Sequence, residues 1–225
     1  MPASRLDARS VPVSKSDVVG QEAENADGFI THIGLASGEQ LSLFRGEQAS
    51  VSHMAPPFNN RGCMTSHAVG TAVLSSDELN QIDVFLSEIE YERLASSRQR
   101  LPWWQYTIHP HVSPRCSVDG TVLYYRFSCV GLVIESYRKA GINLVVDDEA
   151  GLPAVTAAEI DLAYPSLAPI TAIDNRIRTD LGIPGEGHWK VMLAGYALHS
   201  LRRSPSDIRA KPHQPAIGEC FYFGN

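Results

Sequence analysis

Cys129 is the residue whose type and position best suit chemistry in this chain. It follows Ser128, whose hydroxyl is of the kind that caps a helix. Beyond it, Leu132, Val133, Ile134 and Tyr137 recur at helical spacing on what reads as a core face. Cys129 then stands in the first helical turn, where free N–H groups and the positive end of the helix dipole gather. Both favour the thiolate, which is the nucleophilic form of cysteine. The same N–H groups are suited to holding the oxyanion formed when a carbonyl is attacked. The competing reading is a buried cysteine that fills space as a small apolar residue, which the apolar helix also suits.

A catalytic thiol needs an imidazole within hydrogen-bond reach and a third polar group to orient that ring. The chain has eight histidines. Some of them support a different chemistry. His109, His111 and Cys116 fall within eight residues, and Cys63 and His67 form a Cys-x-x-x-His pair. Together they offer ligands for a tetrahedral zinc ion, although the spacing matches no paired Cys-x-x-Cys knuckle. The thiol route itself calls for no cofactor and no metal. Trp103, Trp104 and Tyr106 sit in a Pro-rich stretch and serve either as a cleft wall or as a core plug. Asp147-Asp148-Glu149 reads as a solvated loop, because no spaced ligand series follows it. Gly182 to Gly187 is no phosphate loop, since it lacks a Lys-Ser/Thr pair and a preceding strand.

These residues need elements to position them. Asp27 to Ala36 reads as a strand with His32 in its middle, Ser37-Gly38-Glu39 as a turn, and Gln40 to Phe44 as a returning strand of a hairpin. Pro56, Pro57, Asn59, Asn60 and Gly62 predict a loop over 55–66. His67 to Leu74 is β-rich. Ser75 to Glu78 has capping-box spacing, and Leu79, Ile82, Phe85, Leu86 and Ile89 continue it as a helix over 77–94. The stretch 101–120 is irregular and 121–127 extended. The Cys129 helix runs from about Ser128 to Ala140, with Arg138 and Lys139 in its last turn and Gly141 as its stop. A short helix is expected near 157–163. Residues 1–26 lack periodicity and predict a flexible arm. The remainder, 27–225, reads as one α+β domain, in which a small antiparallel sheet packs on the Cys129 helix. From about residue 145 the chain wraps around it without a core of its own.

The segment from Phe127 to Ile142, with Ser128-Cys129-Val130-Gly131-Leu132-Val133 and Lys139-Ala140-Gly141-Ile142, resembles the nucleophile helix of the NlpC-like papain-fold cysteine peptidases. Val130 stands where that family has Ser. The stretch Gly28 to Ala36, with His32-Ile33-Gly34-Leu35, is similar to the family's His-Val-Gly-Ile strand but precedes the cysteine. That order belongs to the circularly permuted branch, which includes lecithin–retinol acyltransferase-like proteins. The resemblance implies a papain-like fold with Cys129 as nucleophile and His32 as base. It also implies a polar residue on the next strand that orients His32. The position falls near apolar Phe44, which leaves His53 or Glu47 for the role. The unpermuted order makes His188 or His199 the base instead, but the glycine expected after the strand's histidine is missing there. His32 is the favoured placement. The implied activity is a thiol-dependent hydrolase or acyltransferase acting on an amide or ester bond in a peptide, isopeptide or lipid-ester substrate. The alternatives are an inactive papain-fold binding protein and a zinc-stabilised binding domain.

Composition narrows the field. The 225 residues include 19 Lys and Arg against 25 Asp and Glu, a net charge of −6, which argues against a nucleic-acid partner. Arg202 and Arg203, with Arg209 and Lys211 nearby, read as solvated surface. No apolar run approaches the ~18 residues of a membrane span, and the N-terminus lacks the apolar stretch of a secretory signal. Four irregularly placed cysteines form no disulfide framework in a chain this long. Reduced thiols are expected, in the cytoplasm or after export without a classical signal. The oligomeric state is left open.

Overall fold

The computed structural model describes residues 4–6, 10–96, 103–167, 169–185 and 187–221. The chain is α+β, and its main sheet is antiparallel throughout. Six strands build that sheet: β1 (Ser4–Arg5), β3 (Val18–Ala23), β4 (Ala26–Ala36), β6 (Gln48–Met54), β7 (Phe58–Thr65) and β8 (Ala68–Gly70). Their order is β1-β8-β3-β4-β6-β7, so β4 lies centrally between β3 and β6. Two ribbons stand apart: β2 (Val11–Val13) with β5 (Gln40–Leu43), and β9 (Val112–Cys116) with β10 (Val122–Phe127).

The sheet is buried on both faces, and period-two alternation divides its side chains between two clusters. Val18 and Leu35 belong to the large cluster, while their neighbours Val19 and Ala36 belong to the small one with Leu43, Val51 and Met64. The large cluster lies against the helices. These are α1 (Ser76–Ala95), α2 (Cys129–Lys139), α3 (Ala157–Ala163), α4 (Asn175–Asp180), α5 (Ala194–Leu201) and α6 (Pro205–Ala210). Among the described residues no helix is long and apolar enough to cross a membrane.

The two long helices begin where their caps require. Ser75 accepts from the N–H of Glu78, and the Glu78 carboxylate accepts from the N–H of Ser75 at 2.7 Å. Ile82, Phe85, Leu86 and Ile89 form the buried stripe of α1. Ser128 caps α2 by accepting from the N–H of Gly131 at 2.9 Å, and Gly141 ends it at φ +77°. The capping box of Thr156 and Glu159 starts α3 as expected.

Several expectations need correction. The described part of the segment expected as a flexible arm over 1–26 is no loose arm: β3 pairs with both β4 and β8, and Val18 and Val19 are fully buried. The Tyr137 hydroxyl of α2 donates to the carbonyl of Ser16 at 3.0 Å, which ties this segment to the cysteine helix. Polar residues masked the strand because few of its positions are long apolar side chains. The hairpin partner of β4 is β3, whereas β5 pairs with β2. The loop expected over 55–66 is largely β7, an edge strand, where Asn and Gly are tolerated because one flank stays unpaired. The irregular stretch 101–120 contains β9. Beyond residue 145 the described residues form no separate cluster, and Leu152, Val155, Ile160, Tyr196, Leu198 and Ile208 belong to the main core.

Candidate active site

The packing of α2 on β4 sets the site. Ser128 spends its own N–H on the carbonyl of His111 at 2.9 Å, and Gly131 spends its N–H on the Ser128 hydroxyl. The backbone N–H groups of Ile33 on β4, and of Val130 and Cys129, act on the Cys129 thiol and lower its pKa. Cys129 is 3% exposed, at the floor of a cavity of about 250 Å³. His32 and His53 line the same cavity, with walls from Trp103, Tyr106 and Tyr164.

The sheet geometry explains why the two histidines meet. β4 and β6 are hydrogen-bonded only at Leu35–Ser52 and Ala36–Val51. Next along β4 comes Gly34, whose backbone lies close against His53, so His32, two residues further on the same face, meets the His53 ring. Nε2 of His32 lies 2.7 Å from Nδ1 of His53, with the rings edge-on at 72°. His53 also needs room on both flanks, and glycines provide it. A Cβ on Gly34 would stand 3.0 Å from Cβ of His53, and one on Gly62 would stand 2.2 Å from its Nε2. Neither neighbouring strand can carry a side chain there without moving the ring.

Electrostatics favour neutral groups. Burial pushes the Cys129 thiol up to about 11, outweighing the three N–H groups that pull it down. The helix-tip expectation of a resting thiolate is thereby corrected: loss of solvation is the larger effect. Burial, and then the neighbouring charge of His53, lowers His32 to about 3. Burial lowers His53 as well. Tyr106 and Tyr164 are buried phenols, raised by burial and close enough to feel a charge on Cys129. Their hydroxyls stay protonated.

Of the residues expected to act, Cys129, His32 and His53 come together. Glu47 instead accepts the N–H of Phe44 in a turn, so the polar partner of His32 comes from β6 rather than from the strand nearest in sequence. His188 is exposed in a different cavity beside Trp189, and His199 contacts the carbonyl of Phe221. The proposed zinc ligands disperse. His109 faces Glu149, His67 accepts the N–H of Glu22, and His111 is buried with its pKa lowered to about 4. Cys63 lies at the thiol cavity and Cys116 is exposed on β9. Among the described residues no three His, Cys, Asp or Glu side chains converge as a metal site.

The sequence reading missed Gly62 as a residue serving His53 and Tyr164 as a cavity wall. For Gly62 the available signal was a glycine inside a polar strand, which marks a close approach of another group. Trp104 does not line the cavity. It is buried against Tyr124, with ring centroids 5.2 Å apart. Comparison with known proteins returns no matching family model, no matching curated protein and no matching solved structure.

Proposed function

We propose that this chain is a thiol-dependent hydrolase or acyltransferase of the circularly permuted, papain-like NlpC type. The observation that carries the reading is the 2.7 Å contact between His32 Nε2 and His53 Nδ1 in the cavity that Cys129 floors. The element order supports it too: the His32 strand, the His53 strand and α1 all precede the cysteine helix.

The 2.7 Å contact supports one arrangement of the protons. His32 uses Nε2 for His53, which leaves Nδ1 for the thiol. To accept the thiol proton at Nδ1, His32 carries its own hydrogen on Nε2 and donates it to Nδ1 of His53. A neutral His53 then bears its hydrogen on Nε2, above Gly62. Cys129 attacks the carbonyl carbon as its proton passes to His32. The oxyanion is held by the N–H groups at the start of α2. His32 gives the proton to the departing amine or alcohol, leaving a thioester on Cys129. Water or an acceptor hydroxyl then attacks the thioester, and its proton returns by way of His32 to the sulfur. A resting pair of neutral thiol and neutral imidazole is compatible with this route, because proton transfer accompanies attack.

A second reading has its own observation: the thiol is almost sealed and raised to about 11, as suits a binding protein that keeps the cavity without turnover. Mass spectrometry of the chain incubated with p-nitrophenyl acetate separates the two. Nitrophenol release with an acetyl adduct on Cys129, both abolished in Cys129→Ala, supports the enzyme. Release that persists unchanged in Cys129→Ala overturns it.

A further inference from the structure

A second cavity, of about 300 Å³, lies at the opposite end of α3 from the thiol cavity and is lined by Thr156, Thr171, Arg178, His188 and Trp189. Arg178 is 9% exposed. Its Nη1 donates to the carbonyl of Gly185 at 2.5 Å, and its Nε is buried with no partner. Among the described residues, the carboxylates of α4 and its cap, and Glu159 of α3, are otherwise engaged. Asp180 serves Arg115 and Arg126, Asp174 accepts the N–H of Arg176, and Glu159 closes the Thr156 capping box. A buried guanidinium without a carboxylate is costly, because a single carbonyl replaces only part of the solvation it has lost. Arg126, the more buried of the two at 4% exposed, obeys the usual pattern through its ion pair with Asp180. Among the described residues Arg178 has no such pair.

We propose that this cavity binds a small organic anion whose phosphate or carboxylate group pairs with Arg178. A guanidinium presents planar, forked donors that match both oxyanions. The Thr171 side chain stands exposed at the rim to add a hydroxyl. The indole N–H of Trp189 is already committed to the carbonyl of Pro184 at 2.9 Å, so the ring offers only its apolar surface. That arrangement suits a ligand with an anionic head on an apolar or planar body. The site is separate from the thiol: α3 has seven residues and spans about 10 Å between the two cavities. The proposal therefore stands or falls independently of the hydrolase reading.

The test is an indole-proton NMR titration of the full chain with inorganic phosphate, with sodium acetate as the carboxylate arm and sodium chloride at equal ionic strength as control. The chain has three tryptophans, and Trp189→Phe assigns the signal of interest. The expected result is a saturable shift of the Trp189 signal with phosphate or acetate, while those of Trp103 and Trp104 stay still. The better-binding arm identifies the head group. Arg178→Gln weakens binding by about tenfold or more, and Thr171→Val weakens it less. Should Arg178→Gln fail to fold, the wild-type titration and Thr171→Val still decide. No saturable shift at Trp189, an equal response to chloride, or undiminished binding by a folded Arg178→Gln overturns the proposal.

Discussion

Gly62 on β7 presents its bare Cα to the outer nitrogen of His53, and a methyl group at that position would lie 2.2 Å from Nε2. The edge strand thus acts as a backstop for the ring that orients His32. Gly62→Ala forces His53 toward the cavity and breaks the alignment of the histidine pair. Misplacing a catalytic group by about 1 Å costs on the order of 100-fold in rate. Ester hydrolysis by Gly62→Ala should fall by that order while the melting temperature changes little. An Ala variant with wild-type kcat/KM would show that His53 does not depend on this backstop.

His53 orients and His32 transfers the proton, so their variants separate. His32→Ala should lower kcat by ~10² to 10⁴-fold, the usual worth of general acid–base catalysis. His53→Asn keeps an acceptor near the place of Nδ1 and should retain more activity than His53→Ala. Equal activity of the Asn and Ala variants would remove His53 from the orienting role.

The pKa values set a direction for acid sensitivity. His32 titrates near 6.5 when unfolded and is lowered to about 3 when folded. The unfolded chain therefore takes up a proton that the folded chain refuses, and stability falls as pH drops from about 6.5 toward 3. The whole window is worth on the order of 4 kcal/mol. His32→Asn should flatten this part of the stability curve in urea titrations between pH 7 and pH 4. A curve parallel to the wild type would mean that the ring is better solvated than its surroundings imply.

Alkylation reads the state of the thiol. Cys63 and Cys116 are exposed, whereas Cys129 is buried and raised to about 11. Iodoacetamide should therefore modify Cys63 and Cys116 first near neutral pH. Labelling of Cys129 should climb steadily as pH approaches 11, as followed by peptide mass mapping. Fast labelling of Cys129 at pH 6 would mean that the helix tip outweighs burial after all.

Val73 is a β-branched residue at φ +57°, just before the α1 cap, and is 57% exposed. The left-handed region is strained for such a side chain, and this one makes little buried contact in return. Val73→Gly should raise stability by about 1 kcal/mol, measured by thermal melting. A lower melting temperature would show that the greater freedom of the unfolded glycine chain outweighs the strain.

Local signals made α1, α2 and β4 legible in the sequence. Ser75 with Glu78 and Ser128 with Gly131 are contacts between residues three apart, and the stripe from Ile82 to Ile89 follows from helical pitch alone. The cysteine at a helix start and a histidine in a strand could be read for the same reason. Tertiary structure decided what those residues meet. Strand partners are chosen by hydrogen bonds between distant segments, so β3, β6 and β7 were hidden among polar residues, and β4 received partners other than β5. That choice made His53, rather than a residue near Phe44, the neighbour of His32. The thiol's charge state was likewise a tertiary matter. The helix tip favours an anion, but segments far apart in the chain, bearing Tyr106 and Tyr164, enclose the sulfur and remove the solvent an anion needs.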